Sequence, residues 1–281
     1  MRKHLFTLTT GILLSLQAFS QYVLDGVYVK EHHPTRAVVP YPYLREADVM
    51  WSKKIWRVID LKEKANLMLA YPLEGTSAAR KSLIEVLWTA ANEGTLTAYS
   101  TFDDEFTKIY TKEELSKVGG AGIDSTTYTS PDPPYEQRDT VIVRTFSIDK
   151  VVGYRIKEEW FFDKQRSVMD VRIIGIAPLI FEVDEFGNTR ENALKVPIFW
   201  IYYPEARKIL ANVECFNRFN DAARLTYDDV FQKRLFSSYI IKESNVYDRR
   251  IEEYRQGMDA LVEADRIKND IVNFEHDLWE Y

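Results

Sequence analysis

Apolar positions between Leu44 and Leu67 recur at helical spacing. At about 100° per residue, Leu44, Ala47, Trp51, Ile55, Val58 and Ile59 fall on one face, with Glu46, Lys53, Arg57, Asp60 and Lys64 on or near the opposite one. The pattern predicts a first helix that ends before Pro72. A second helix is expected from about Ala78 to Asn92, with Leu83, Val86, Leu87 and Ala90 as its apolar face and Gly94 as its stop. Thr111 and Glu114 have capping-box spacing for a short third helix.

Gly119, Gly120, Gly122, Pro131, Pro133 and Pro134 predict a flexible loop over 119–138. From Thr140 to Tyr203 the pattern becomes that of strands: Val141 to Ile148, Tyr154 to Phe162, Val168 to Ile176 and Lys195 to Tyr203, with turn signals at 163–166 and 186–188. Strands joined by short turns make an antiparallel sheet. The last part, 225–278, reads as helical. One helix runs over Leu225–Ser238, capped by Thr226, and a long one over Tyr247–Leu278, with apolar Ile251, Tyr254, Met258, Leu261, Ile267, Ile271, Phe274 and Leu278. The fold class expected is α+β: N-terminal helices, a central antiparallel sheet and C-terminal helices.

The first twenty residues follow a different pattern. Arg2 and Lys3 precede a mostly apolar run from Leu5 to Phe19, and Ala18 and Ser20 stand before Gln21. A basic start, a short apolar stretch and small residues at the end are the marks of a cleaved export signal over 1–20. The run is too short to span a bilayer, which needs about 20 apolar residues. Residues 21–43 then read as an extended arm, rich in Val and broken by Pro34, Pro40 and Pro42.

The chain has 281 residues and a net charge of −6, which disfavours nucleic acid because phosphate binding requires a basic face. Cys215 is the single cysteine, so no intramolecular disulfide can form, and its apolar flanks predict a buried thiol. His32, His33 and His276 are the histidines after residue 20, too few to suggest a transition-metal centre or a triad. Phosphate-loop, dinucleotide-loop, zinc-protease and nucleophile-elbow motifs are absent from the sequence. Acid pairs occur at Asp103-Asp104-Glu105, Glu158-Glu159, Asp184-Glu185 and Asp228-Asp229, and a glycan hydrolase using two carboxylates is one alternative function. A small-ligand binding module using the aromatic residues is another. No catalytic, metal or cofactor residue is assigned. A partner-binding surface is expected at Tyr41, Arg45, Trp51 and Trp56, with Trp56 off the apolar stripe and beside an arginine, the usual chemistry of an interface anchor.

The stretch from Asp25 to Leu73 (DGVYVKEHHPTRAVVPYPYLREADVMWSKKIWRVIDLKEKANLMLAYPL) resembles the start of the gliding-motility GldN family, also called PorN. The resemblance continues through SLIEVLWTAANEGTLTAYSTFDDEF and YRIKEEWFFDKQRSVMDVRIIGIAP, and so covers most of 21–281. It implies a periplasmic, non-catalytic subunit of the type IX secretion system. It further implies assembly with an outer-membrane lipoprotein of the GldK/PorK type into a ring at the inner face of the outer membrane. That ring would be coupled to inner-membrane motor components of the GldL/GldM type.

Overall fold

The computed structural model describes residues 36–72, 80–129, 137–144, 146–182 and 193–278. The strands are β1 (Val49–Asp60), β2 (Ala98–Tyr99), β3 (Gly122–Thr129), β4 (Gln137–Arg144), β5 (Val151–Asp163), β6 (Val168–Phe181), β7 (Lys195–Pro197), β8 (Trp200–Tyr202), β9 (Glu214–Cys215), β10 (Leu225–Thr226) and β11 (Tyr239–Glu243). The α-helices are α1 (Leu67–Ala70), α2 (Leu83–Glu93), α3 (Lys112–Leu115), α4 (Tyr203–Leu210), α5 (Tyr227–Gln232) and α6 (Met258–Asp277). The class is α+β, built on an antiparallel sheet ordered β11-β1-β5-β6-β8-β2, with β7 also paired to β6. β9–β10 and β3–β4 form two further ladders.

The predicted first helix is instead strand β1, which pairs with β5 along its length and with β11 over Ile55–Val58. Its first half alternates between half-buried and exposed residues, and its second half is buried on both sides. Alternation puts Ile55, Arg57 and Ile59 on one face and Trp56 and Val58 on the other. On the first face Ile59, Tyr154, Ile156 and Ile176 pack against α2, α4 and α5 through Leu83, Leu87, Leu210, Val230 and Phe231. Farther along that face Ile55 and Ile240 meet Ala264, Ile267 and Ile271 of α6. On the opposite face Trp56, Val58, Leu179, Trp200 and Ile241 pack with Tyr99 and Phe106.

Phe106 belongs to a loop that crosses this second face. Its ring packs edge-on to Tyr99 and Trp200, with centroids 5.3 and 5.9 Å away. Gly175 lies directly beneath: a Cβ there would stand 2.5 Å from the Phe106 ring. The backbone of Phe106 has φ +61°, a conformation that costs a non-glycine residue energy and persists because this seat holds it.

Helix ends follow the sequence signals. Ser82 caps α2 by accepting from the Glu85 amide, and Gly94 ends it in the left-handed conformation at φ +80°. Thr111 and Glu114 form the expected capping box of α3, and Thr226 with Asp229 forms one on α5. The C-terminal part differs from expectation. α5 ends at Gln232 and strand β11 follows. The long helix begins at Met258 because Gly257, at φ +57°, cannot continue a right-handed helix from the preceding turn. Residues 119–138, read as a loop, contribute β3 and the first residues of β4, paired from Gly122–Arg144 to Thr129–Gln137. Residues 1–20, and 21–35 of the arm, lie outside the described residues.

Candidate interaction surface

Tyr41 fixes the end of the extended arm. Its ring lies between two guanidinium groups, with Arg207 at 4.3 Å and Arg172 at 5.0 Å from the ring centroid. Its hydroxyl accepts from Gln232 Nε2 at 2.9 Å. Arg172 also donates to the Pro42 carbonyl at 2.7 Å, and Arg36 pairs with Asp229 at 2.8 Å. Burial raises the Tyr41 pKa, so the phenol stays neutral.

The platform beneath the arm comes from α4 and α5. Arg207 donates to both Asp228 oxygens, at 2.9 and 3.2 Å, and the Tyr203 hydroxyl donates to Asp228 at 2.9 Å. Arg207 and Asp228 are both buried, so this pair is a bidentate ion pair largely shielded from water. At Asp229 burial pulls the pKa up, but the Thr226 amide and hydroxyl, together with the charges of Lys233 and Arg36, make the net shift downward.

The four residues expected at a partner surface take different positions. Tyr41 is half-buried in the arm seat. Arg45 is exposed and pairs with Asp48 at 2.7 Å across a 3₁₀ turn. Trp51 is half-buried and stacks on Phe274 of α6, with centroids 4.7 Å apart. Trp56 is 5% exposed and belongs to the protein's own core, which corrects the expectation of an exposed anchor. The error comes from the element type: a helical wheel puts Trp56 off the apolar stripe, whereas a strand gives it a full side of the sheet. Tyr43 (88% exposed) and Met50 (67%) are the large apolar side chains that this segment does present to solvent.

Each described acid pair has a member engaged in internal contacts. Glu158 is fully buried and pairs with Arg57 and Arg234, while Glu159, next along β5, points to the other side. Asp103 accepts from Thr107, and the Asp104 carbonyl accepts from Lys157. Asp184-Glu185 and His32-His33 lie outside the described residues, and His276 is exposed. No group of three or more metal-ligating side chains occurs among the described residues. Cys215 is buried as expected, and burial pushes its thiol up to about 12. Among the described residues no helix is long and apolar enough to cross a membrane.

Sequence reasoning missed the clusters around Glu158 and Trp56. Their one signal was a charged residue inside an apolar run, Arg57 within Ile55–Ile59 and Lys157 and Glu158 within Tyr154–Phe162, since buried charges require partners.

No curated protein matches the chain. A family model described as gliding motility associated protein GldN matches residues 44–280, which include β1, the loop that carries Phe106, and α6. The chain therefore belongs to the GldN family, which is associated with gliding motility and type IX secretion.

Proposed function

We propose that this chain is a non-catalytic periplasmic subunit that assembles with an outer-membrane lipoprotein of the GldK/PorK type into a ring of the type IX secretion and gliding machinery. Motor components of the GldL/GldM type in the inner membrane would drive that ring. Family membership over residues 44–280 is the observation that carries this reading. The basic and apolar pattern of residues 1–20 supports export.

The partner surface in this reading is the segment from Tyr41 to Trp51. Its two ends are pinned, by the arginines at Tyr41 and by Phe274 at Trp51, and Tyr43, Arg45 and Met50 stand exposed between them. A rigid, solvent-facing stretch with an aromatic, an arginine and a methionine suits an interface, because little side-chain or backbone freedom is lost on docking. Trp56 acts from within, by holding β1 in place. A closed ring requires, besides this surface, two different complementary surfaces on each copy.

The test is affinity purification from native membranes, comparing the native chain with a Tyr43→Ala/Arg45→Ala double variant. The expected result is a co-purifying lipoprotein that is lost or strongly reduced with the variant, whose thermal melt stays unchanged. Equal recovery with both chains would remove this surface. A native chain that recovers no envelope protein would remove the assembly role.

A further inference from the structure

A cleft opens on the helix-covered face of the sheet, between α6 and the turn that follows α5. Its volume is about 620 Å³, within the range of ligand sites. Arg57 and Trp160 form the floor, Arg234 and Phe236 one wall, and Lys268 and Ile271 the other. We propose that this cleft receives a carboxylate side chain, flanked by an apolar residue, from a protein partner.

The charges carry the inference. Three cations line the cleft, and one carboxylate, Glu158, lies beneath them. That carboxylate is already engaged. Arg57 Nε stands 3.2 Å from Oε2, Arg234 reaches both oxygens at 2.9 and 3.2 Å, and the Trp160 indole donates to Oε2 at 3.2 Å. Lys268 has no acidic partner among the described residues. Arg57 is 8% exposed, and its further bond is a long one of 3.4 Å to Ser238 Oγ. Two guanidinium groups thus share one buried carboxylate beside an unpaired ammonium, which leaves two positive charges in a concave, partly desolvated site. An incoming anion is attracted more strongly there than at an open surface.

The site is also built before any ligand arrives. Both guanidinium groups pack on the Trp160 ring, 6.0 and 5.5 Å from its centroid, and Arg234 packs on Phe236 at 5.4 Å. Arginines held in this way are fixed in place, so their charge is already positioned for an incoming carboxylate. The rest of the lining distinguishes a protein side chain from a free ion. Ile271, Val272, Leu235 and Phe236 give the cleft an apolar part that an inorganic anion would leave unfilled. The ligand class is therefore an acidic residue next to an aliphatic or aromatic one in an accessible segment.

The experiment uses the purified chain alone, so it does not depend on the ring assignment. The probe is acetyl-Glu-Phe-amide, titrated by calorimetry or by chemical-shift changes, with acetyl-Gln-Phe-amide and inorganic phosphate as controls. Binding of the Glu peptide is expected, weakened about tenfold in the Gln peptide and in Lys268→Glu, a difference of about 1.4 kcal/mol. Raising the salt concentration should weaken it further. Lys268 is exposed on α6, so its substitution leaves the core intact, and the melt of the variant verifies this. Failure to bind at millimolar peptide would overturn the proposal, as would equal binding of the two peptides or unchanged binding by Lys268→Glu. Phosphate binding as tightly as the Glu peptide and displacing it would also overturn it, in favour of a free-anion site.

Discussion

Lys242 and Trp56 face each other across the β1–β11 pairing, with the lysine ammonium 4.4 Å from the indole centroid. Lys157, opposite Trp56 on β5, adds a second cation at 5.4 Å. The tryptophan thus joins three strands by packing and by cation–π attraction. Trp56→Ala should lower unfolding free energy by about 3–5 kcal/mol, the range for losing a large buried aromatic side chain. Urea denaturation checks it. A variant as stable as the native chain would show that the indole is not part of the core.

The Arg207–Asp228 pair links the fold to the arm, because Arg207 also packs on Tyr41. Asp228→Asn leaves a buried guanidinium without its counter-charge, which costs about 3–5 kcal/mol. Residues 36–43 should also become more sensitive to limited proteolysis, and mass spectrometry of the early fragments measures that. A drop in stability with unchanged cleavage of the arm would separate the two roles.

Gly175 is the seat of Phe106, and any side chain there meets the ring at 2.5 Å. Gly175→Ala should displace the loop and cost about 1–3 kcal/mol, as overpacking does. Hydrogen exchange at residues 100–110 should quicken relative to β5 and β6. Uniform exchange across all three segments would point to a general loss of stability instead.

Asp163 closes the β5–β6 turn. Its carboxylate accepts from Arg166 Nε at 2.7 Å and from the Gln165 and Arg166 amides at 2.9 and 3.4 Å. The Arg166 bond, with help from the amides, holds its pKa below the usual carboxylate range. A group whose pKa is lower in the folded state adds stability that is complete above its unfolded value, about 3.9, and is lost as pH falls through the folded value. Asp163→Asn should therefore be less stable near neutral pH, and its stability should fall less steeply than the native chain's below about pH 4. Urea midpoints measured across that range decide it.

The sheet was legible where two strands are joined by a short turn, as at β5, the 163–166 turn and β6. It was illegible at β1. That strand has α-helices on one face and the Phe106 loop on the other, so its second half is continuously buried. Continuous burial erases the two-residue period and leaves apolar spacings that fit a helix equally well. The β-branched residues Ile55, Val58 and Ile59 were the remaining sign of a strand. In the proposed partner segment, Tyr41 and Arg45 could be singled out from local sequence. The cleft could not, because Arg57, Glu158 and Arg234 come from three distant parts of the chain and meet only once the sheet is assembled.

The pairing of β1 with β11 has a consequence for how the chain matures. Lys54 bonds to Ser244, 190 positions later, and Ile55 to Val58 have their second neighbour only when that late segment is present. A growing chain therefore carries an unfinished strand edge, with Trp56 and Ile55 uncovered, until almost all of it has emerged. The apolar centre of the molecule is closed by its last third, which makes this a chain that benefits from being kept unfolded, or escorted, until it is whole.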